Sequence, residues 1–145
     1  MSAVAERAVA EALTWVGTPY RHQASCKGAG TDCLGLLRGV WRHLYGEEPE
    51  QIPAYTADWS EPQGREDLLS AAQRHLVRKP KHVEASGDVI LFRMRRGSVA
   101  KHLGIQTTIG PDRRFVHAYS GHNVELSALT LPWRTRIAAR FILPD

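Results

Sequence analysis

Apolar residues in the first half of the chain recur every three to four positions, which is the spacing of one face of an α-helix. These repeats predict helices over residues 3–16, 33–45 and about 65–79. In the first helix, Val9, Leu13 and Val16 fall on one side and form the predicted packing surface. Residues 47–64 hold three prolines and little periodicity, so they predict an irregular surface connection.

The second half changes to short apolar runs separated by turn residues, a pattern typical of β-strands. Strands are predicted over residues 89–94, 103–109, 115–118, 124–126 and 137–143. Turns at 96–98 and 110–112 would connect the first three strands as hairpins. Helices followed by an antiparallel meander predict an α+β fold, and without internal repeats we expect residues 1–145 to form one domain.

Cys33 is the first residue of the second predicted helix, at the head of its apolar face. Thr31 or Asp32 is placed to cap this helix, and Gly46 follows where a glycine would end it. The unpaired N–H groups of a first turn carry a partial positive charge, which would favour the nucleophilic thiolate. The simpler alternative is that Cys33 is a small buried hydrophobic residue of the core.

A cysteine nucleophile needs a base to take its proton and a third group to orient that base. Among the seven histidines, His102 and His117 lie in neighbouring predicted strands joined by the turn at Gly110. The two imidazoles are therefore predicted cross-strand partners, although a histidine in a strand is often only structural. His22 lies in a polar loop before Cys33 and could contact a substrate, but its loop position alone does not single it out for a function.

Two cysteines are too few for a disulfide framework, so Cys26 and Cys33 are predicted to be free thiols. A zinc site from these cysteines with His102 and His117 is an alternative, but six residues between the cysteines fit no common zinc-finger spacing. We therefore expect no metal and no other cofactor. The formal charge of +4 is a mild excess; it could help docking to an anionic polymer, but a solvated surface is the simpler interpretation. No nucleic-acid motif accompanies it, so we expect no nucleic-acid partner.

The first ten residues contain a charge pair where a signal peptide would need an unbroken apolar core. No later stretch is long and apolar enough to insert in a membrane. We expect a protein made in the cytoplasm, which something else must deliver if its target lies outside.

Five short blocks follow one another along nearly the whole chain. They are residues 15–21 (WVGTPYR), 31–36 (TDCLGL), 86–92 (SGDVILF), 101–105 (KHLGI) and 115–118 (FVHA). Together they resemble the NlpC-type family of papain-like cell-wall endopeptidases. The resemblance implies a papain-like fold, with a nucleophilic cysteine at a helix N-terminus packed on a C-terminal antiparallel sheet.

The resemblance also implies roles for single residues: Cys33 as nucleophile, His102 as general base and His117 as a polar orienting group. Tyr20 matches the family tyrosine whose hydroxyl points into the site, although a core aromatic is an equal alternative. Family members cut peptidoglycan stem peptides, typically between D-γ-glutamate and a diamino acid. Stem peptides are therefore the expected substrate.

Two departures from the family pattern concern the surroundings of the cysteine. Leu34 stands where the family usually has serine, so any hydrogen bond of that serine is missing. The preceding loop is longer and carries His22 and Cys26 in place of the common Trp-Gly-Gly, which leaves the substrate preference open. This loop is most similar to the subgroup encoded with phage tails and gene-transfer agents, and it implies tail-tip or baseplate partners.

Two other functions remain open at this point. One is a structural tail or baseplate component with weak or no catalysis, which Leu34 would permit. The other is an amidase or acyltransferase of the same fold, which would use the same catalytic groups.

Overall fold

A computed structural model describes residues 2–56, 59 and 63–145 of the chain. Its helices are α1 (Ala3–Thr14), α2 (Cys33–Tyr45), α3 (Asp67–His75) and the short α4 (Leu131–Arg134). Its strands are β1 (Ser25–Cys26), β2 (Gly30–Thr31), β3 (Val77–Lys79), β4 (Val89–Arg93), β5 (Ala100–Thr108), β6 (Arg114–His117), β7 (Glu125–Ala128) and β8 (Ile137–Ile142). None of the helices in these described ranges has the length and apolar character needed to cross a membrane.

Helix α1 buries a different side from the one that the sequence predicts. Leu13 and Val16 are 40% and 47% exposed, whereas Ala8 and Ala12 are fully buried and Trp15 is 2% exposed. The reason lies in α2, where Gly39 leaves room for the Trp15 ring; any side chain there would clash with it. Small residues allow this close approach, so the alanine face packs and the larger aliphatic residues stay outside.

Helix α2 has the predicted bounds and buries Cys33, Leu36 and Val40. Asp32 is its N-cap, and Gly46 follows it with a positive φ of 89°, a conformation that glycine adopts without a side-chain clash. The helix therefore presents Cys33 at its first position, as the sequence predicts.

Helix α3 is shorter than the predicted 65–79 and ends at His75. Leu76 is already extended, and Val77–Lys79 form β3, which pairs antiparallel with β8. Pro80 disfavours helical backbone at the residue before it, and the β-branched Val77 suits a strand. In the irregular connection predicted at 47–64, residues 47–56 contain neither helix nor strand, while 57–58 and 60–62 lie outside the described residues.

Strands β3 to β8 form one sheet in the order β3-β8-β4-β5-β6-β7, with antiparallel neighbours throughout. The sequence predicts the meander β4-β5-β6-β7 and the strand β8, but not that β8 pairs with the other side of β4 or that β3 exists. Helices α1 and α2 contact β5 in the main core. A second apolar cluster holds Phe92, Phe115 and Leu129 with Trp133 packed against it. The predicted α+β architecture is confirmed.

Candidate active site

Asp32 holds the start of α2 and the loop before it in one arrangement. Its Oδ1 accepts a hydrogen bond of 2.7 Å from the Gly35 backbone N–H, which caps the helix. Its Oδ2 accepts another of 2.7 Å from the Gln23 N–H and a third from the Tyr55 hydroxyl. Asp32 is 2% exposed, so these partners compensate for the cost of burying a carboxylate. The loop and helix start are thereby fixed around Cys33.

The Cys33 thiol is only 7% exposed, and this burial raises its pKa to about 12. The neighbouring Asp32 carboxylate acts in the same direction, while hydrogen bonds from backbone N–H groups, including that of Leu103, act against it. The N–H groups of the helix start thus act in the expected direction, but the effect of burial on the thiol pKa is larger. In the resting protein the thiol keeps its proton at neutral pH.

His102 lies in β5, is 6% exposed, and has its Nε2 2.9 Å from His117 Nδ1 in β6. The register that pairs Ile105 with Val116 places the two imidazoles diagonally across the strands, so the predicted cross-strand contact is confirmed. Gly104 makes it possible, because a Cβ there would lie 2.7 Å from the Phe115 ring and 3.2 Å from His117 Cβ.

His117 makes a further polar contact through its other ring nitrogen. Its Nε2 lies 2.9 Å from Ser127 Oγ and 3.8 Å from a carboxylate oxygen of Glu125, both in β7. Ser127 has no local signal in the sequence, because its place beside His117 depends on the register of β6 with β7. The strand predicted over 124–126 ends two residues before β7 does and therefore leaves Ser127 out.

Burial lowers the pKa of both imidazoles. The pKa of His102 falls to about 3, with the nearby His117 acting in the same direction. The pKa of His117 falls to about 4, with a smaller effect of the same sign from His122. Both rings are therefore neutral at pH 7, and one nitrogen of each can accept a proton or hydrogen bond.

A cleft of about 400 Å³ opens over Cys33 and His102, which both line it. Tyr20 lines it too, and so does Ser120. Burial raises the pKa of Tyr20, and the closeness of Cys33 adds to this effect. Tyr20 therefore enters the cleft as a neutral hydroxyl. His117 is 1% exposed and stands behind His102 rather than in the cleft.

His22 lies at the exposed edge of the same cleft. Its Nε2 is 2.9 Å from the backbone oxygen of Tyr55, and its ring meets the Tyr55 ring edge-on at 5.2 Å. Tyr55 stacks on Trp59 with 4.2 Å between ring centroids, and both aromatic rings line the cleft. The sequence predicts only an irregular surface connection for the stretch that holds these aromatics. The available signal was two large aromatic residues in a polar, proline-rich stretch.

Both cysteines are free thiols, as predicted, with Cys26 exposed and Cys33 buried. Within residues 2–56, 59 and 63–145, no group of three or more histidine, cysteine, aspartate or glutamate side chains is arranged to hold a metal ion. The groups that line the cleft include the Cys33 thiol, the neutral His102 imidazole and the Tyr20 phenol, and the neutral His117 imidazole lies behind His102. This set is suited to acyl transfer through a cysteine.

The described elements form the papain-like arrangement of NlpC/P60 domains, a class found among peptidoglycan hydrolases. The NlpC/p60 domain of the peptidoglycan hydrolase SagA superposes with a TM-score of 0.62 at 19% identity, covering 96% of this chain and 98% of that one.

Two further solved structures share the fold. A protein similar to lipoproteins of the NLP/P60 family from Staphylococcus aureus gives a TM-score of 0.63 at 19% identity, with 100% of this chain matching 43% of that one. Ly7917, solved with the hydrolysis product of MDP, gives a TM-score of 0.61 at 10% identity, over 97% of this chain and 63% of that one. The chain thus spans less than half of the S. aureus protein. Neither a protein-family profile nor a curated protein matches the sequence.

Proposed function

We propose that the chain is a cysteine peptidase that hydrolyses peptidoglycan stem peptides. The observation that carries this proposal is the cleft shared by Cys33 and His102, with His102 Nε2 held at 2.9 Å by His117. The likeness in fold to the peptidoglycan hydrolase SagA supports the class of substrate. The resemblance of the sequence blocks supports the γ-D-glutamyl–diamino acid bond as the one that is cut.

The hydrogen-bonded series around His102 supports its role as general base. If His102 Nε2–H donates to His117 Nδ1, then His117 carries its own proton on Nε2 and donates it to Ser127 Oγ. This assignment leaves His102 Nδ1 without a proton and able to accept one. The reverse assignment would put a proton on His102 Nδ1 and prevent it from acting as a base.

Because both Cys33 and His102 are neutral at rest, proton transfer accompanies the attack on the substrate. His102 Nδ1 takes the thiol proton as Sγ bonds to the stem-peptide carbonyl carbon. The oxyanion is stabilised by the Cys33 backbone N–H, with Tyr20 assisting. The amine leaves with the proton from His102, and an acyl thioester remains. Water then gives a proton to His102 Nδ1 as it attacks the thioester. His102 returns that proton to Sγ as the acid is released, which restores the thiol and the neutral imidazole.

The test is mass spectrometry of soluble fragments released from purified diaminopimelate-type peptidoglycan. Cys33→Ala should lower the rate of fragment release by about a thousandfold or more, because the nucleophile is gone. Cys26→Ala is the matched control: this exposed thiol lies outside the cleft, and its removal should leave turnover unchanged. Fragments released equally by wild type and Cys33→Ala would refute the nucleophile; no release by wild type would refute the substrate class.

We also propose that the protein acts at the cell wall as a component of a tail tip or baseplate. The support is the resemblance of the loop before Cys33 to the phage-tail and gene-transfer-agent subgroup. Immunogold labelling of purified particles from the source organism tests this placement. Label at the tail tip supports it, and protein found only outside particles contradicts it.

A further inference from the structure

Cations that are far apart in the sequence converge on one groove of about 600 Å³. Its charged lining residues are Lys81, Arg93, Arg95, Arg96 and Arg136. The convergence follows from the sheet: the Arg93 N–H donates a hydrogen bond of 2.8 Å to the Arg136 carbonyl, which joins the end of β4 to the start of β8. Five of the chain's 19 lysines and arginines thus lie around one groove.

The described side chains that line the groove carry charge of one sign. None of the described residues that line it carries a carboxylate. Arg93 pairs with Glu66, which lies outside the lining. Arg136 is oriented by hydrogen bonds of 3.3 Å to the carbonyl oxygens of Met94 and Pro132. Several cations around one groove attract a polyanion.

The groove adjoins the cleft that contains Cys33, because Met94 lines both. A polymer in the groove would therefore lie beside the peptide being cut. When both ligands belong to one insoluble material, binding of the first raises the effective concentration of the second. The position of the groove thus gives a peptidase a means of staying on its substrate.

We propose that this groove binds a linear polyanion of phosphodiesters that is attached to the cell wall. Four of its five cations are arginines, whose planar guanidinium groups pair with phosphate oxygens through two parallel hydrogen bonds. A phosphodiester polymer carries a permanent charge on every repeat. It can therefore contact several cations of the groove at once, which a single anion cannot do. Single-stranded nucleic acid is disfavoured, because the described lining residues include no aromatic ring for base stacking. That the polymer is attached to the cell wall rests on the proposed function. That the groove binds a polyanion does not.

The experiment measures binding of Cys33→Ala protein to two preparations of one Gram-positive cell wall. One keeps its phosphodiester polymer, and hydrofluoric acid has removed the polymer from the other. We expect binding to the intact wall to be about tenfold tighter and to weaken steeply with added salt. Adding Arg95→Gln, Arg96→Gln and Arg136→Gln should abolish this difference between the two walls.

The matched control adds Arg7→Gln, Arg78→Gln and Arg114→Gln, which removes the same charge from exposed positions outside the groove. This variant should keep the tenfold difference. If the groove variant does not fold, judged by circular dichroism, the single change Arg96→Glu takes its place.

Three results would overturn the proposal. They are equal binding to both walls, equal loss in both triple variants, and tighter binding of an oligonucleotide than of the released wall polymer at matched phosphate number. The last would identify nucleic acid as the partner instead. Because the protein carries Cys33→Ala, binding is scored without turnover. A failed peptidase assay and a failed groove assay therefore remain separate results.

Discussion

At the scale of single residues, burial rather than the helix terminus determines the protonation of the site. Cys33 keeps its proton because its pKa is raised to about 12, and His102 stays neutral because its pKa is lowered to about 3. Desolvation disfavours the charged form of both groups, which opposes the thiolate–imidazolium pair that the helix start alone would favour. The contact with His117 matters for the tautomer of His102, because only one tautomer of His102 leaves Nδ1 able to accept a proton.

We expect His102→Ala to lower kcat/KM on a soluble stem peptide by about a hundred- to ten-thousandfold, the usual contribution of a general base. His117→Ala should lower kcat/KM less, because it acts through His102.

Wild type should show a flat pH profile from pH 5 to 8 and an acid limb below pH 5, since protonated His102 cannot accept the thiol proton. Steady-state kinetics across pH measure both effects. Equal losses in the two variants, or an acid limb near pH 6.5, would contradict this division of roles.

At the scale of elements, the short hairpin β1–β2, the loop before it and the start of α2 form one unit around Asp32. The side chain of Asp32 both caps α2 and binds the Gln23 N–H and the Tyr55 hydroxyl. Gly35 is required beside it, because a Cβ there would clash with the Ala24 carbonyl oxygen. The position of Cys33 is therefore set by packed and hydrogen-bonded neighbours rather than by helix propensity.

Asp32→Ala should lower the free energy of unfolding by about 2–4 kcal/mol, because it removes a cap and leaves two further donors without their acceptor. Ser2→Ala is the matched control, since Ser2 also caps a helix but at an exposed end. Its cost should be about 0.5–1 kcal/mol. Urea denaturation followed by circular dichroism compares the two. A cost for Asp32→Ala no larger than for Ser2→Ala would show that the loop contacts contribute nothing.

At the scale of the whole molecule, two buried neutral histidines connect the site to the stability of the fold. His102 and His117 have folded pKa values of about 3 and 4, below the value of about 6.5 expected in an unfolded chain. As pH falls below 6.5 the unfolded chain binds protons first, so protonation favours unfolding. This contribution to stability is complete above pH 6.5 and is lost as pH falls towards 3.

The free energy of unfolding should therefore fall between pH 6.5 and 4, by up to about 1.4 kcal/mol per pH unit for each of the two histidines. The double variant His102→Gln/His117→Gln should show a shallower slope, because its side chains do not titrate. His82→Gln, at an exposed histidine, should keep the slope of wild type. Urea titrations at several pH values measure how the free energy of unfolding changes with pH. A double variant with an unchanged slope would assign the acid sensitivity to other groups.

The sequence by itself determined the elements whose signals are local. The period of α2, its cap at Asp32 and its end at Gly46 are encoded within a few neighbouring residues, and so are the turns of the β4–β5–β6 meander. Cys33 at the helix start and the two histidines on adjacent strands followed from these signals. Short-range preferences and hydrophobic periodicity are enough to place such features.

The tertiary structure alone decided what depends on partners far along the chain. The buried side of α1 was set by the space that Gly39 leaves for Trp15, and the end of α3 by pairing of β3 with β8. The contact of His117 with Ser127 followed from strand register. Burial of Cys33 and gathering of the arginines at the groove likewise require the assembled sheet. In each case the energy comes from contacts between distant segments, which no local pattern records.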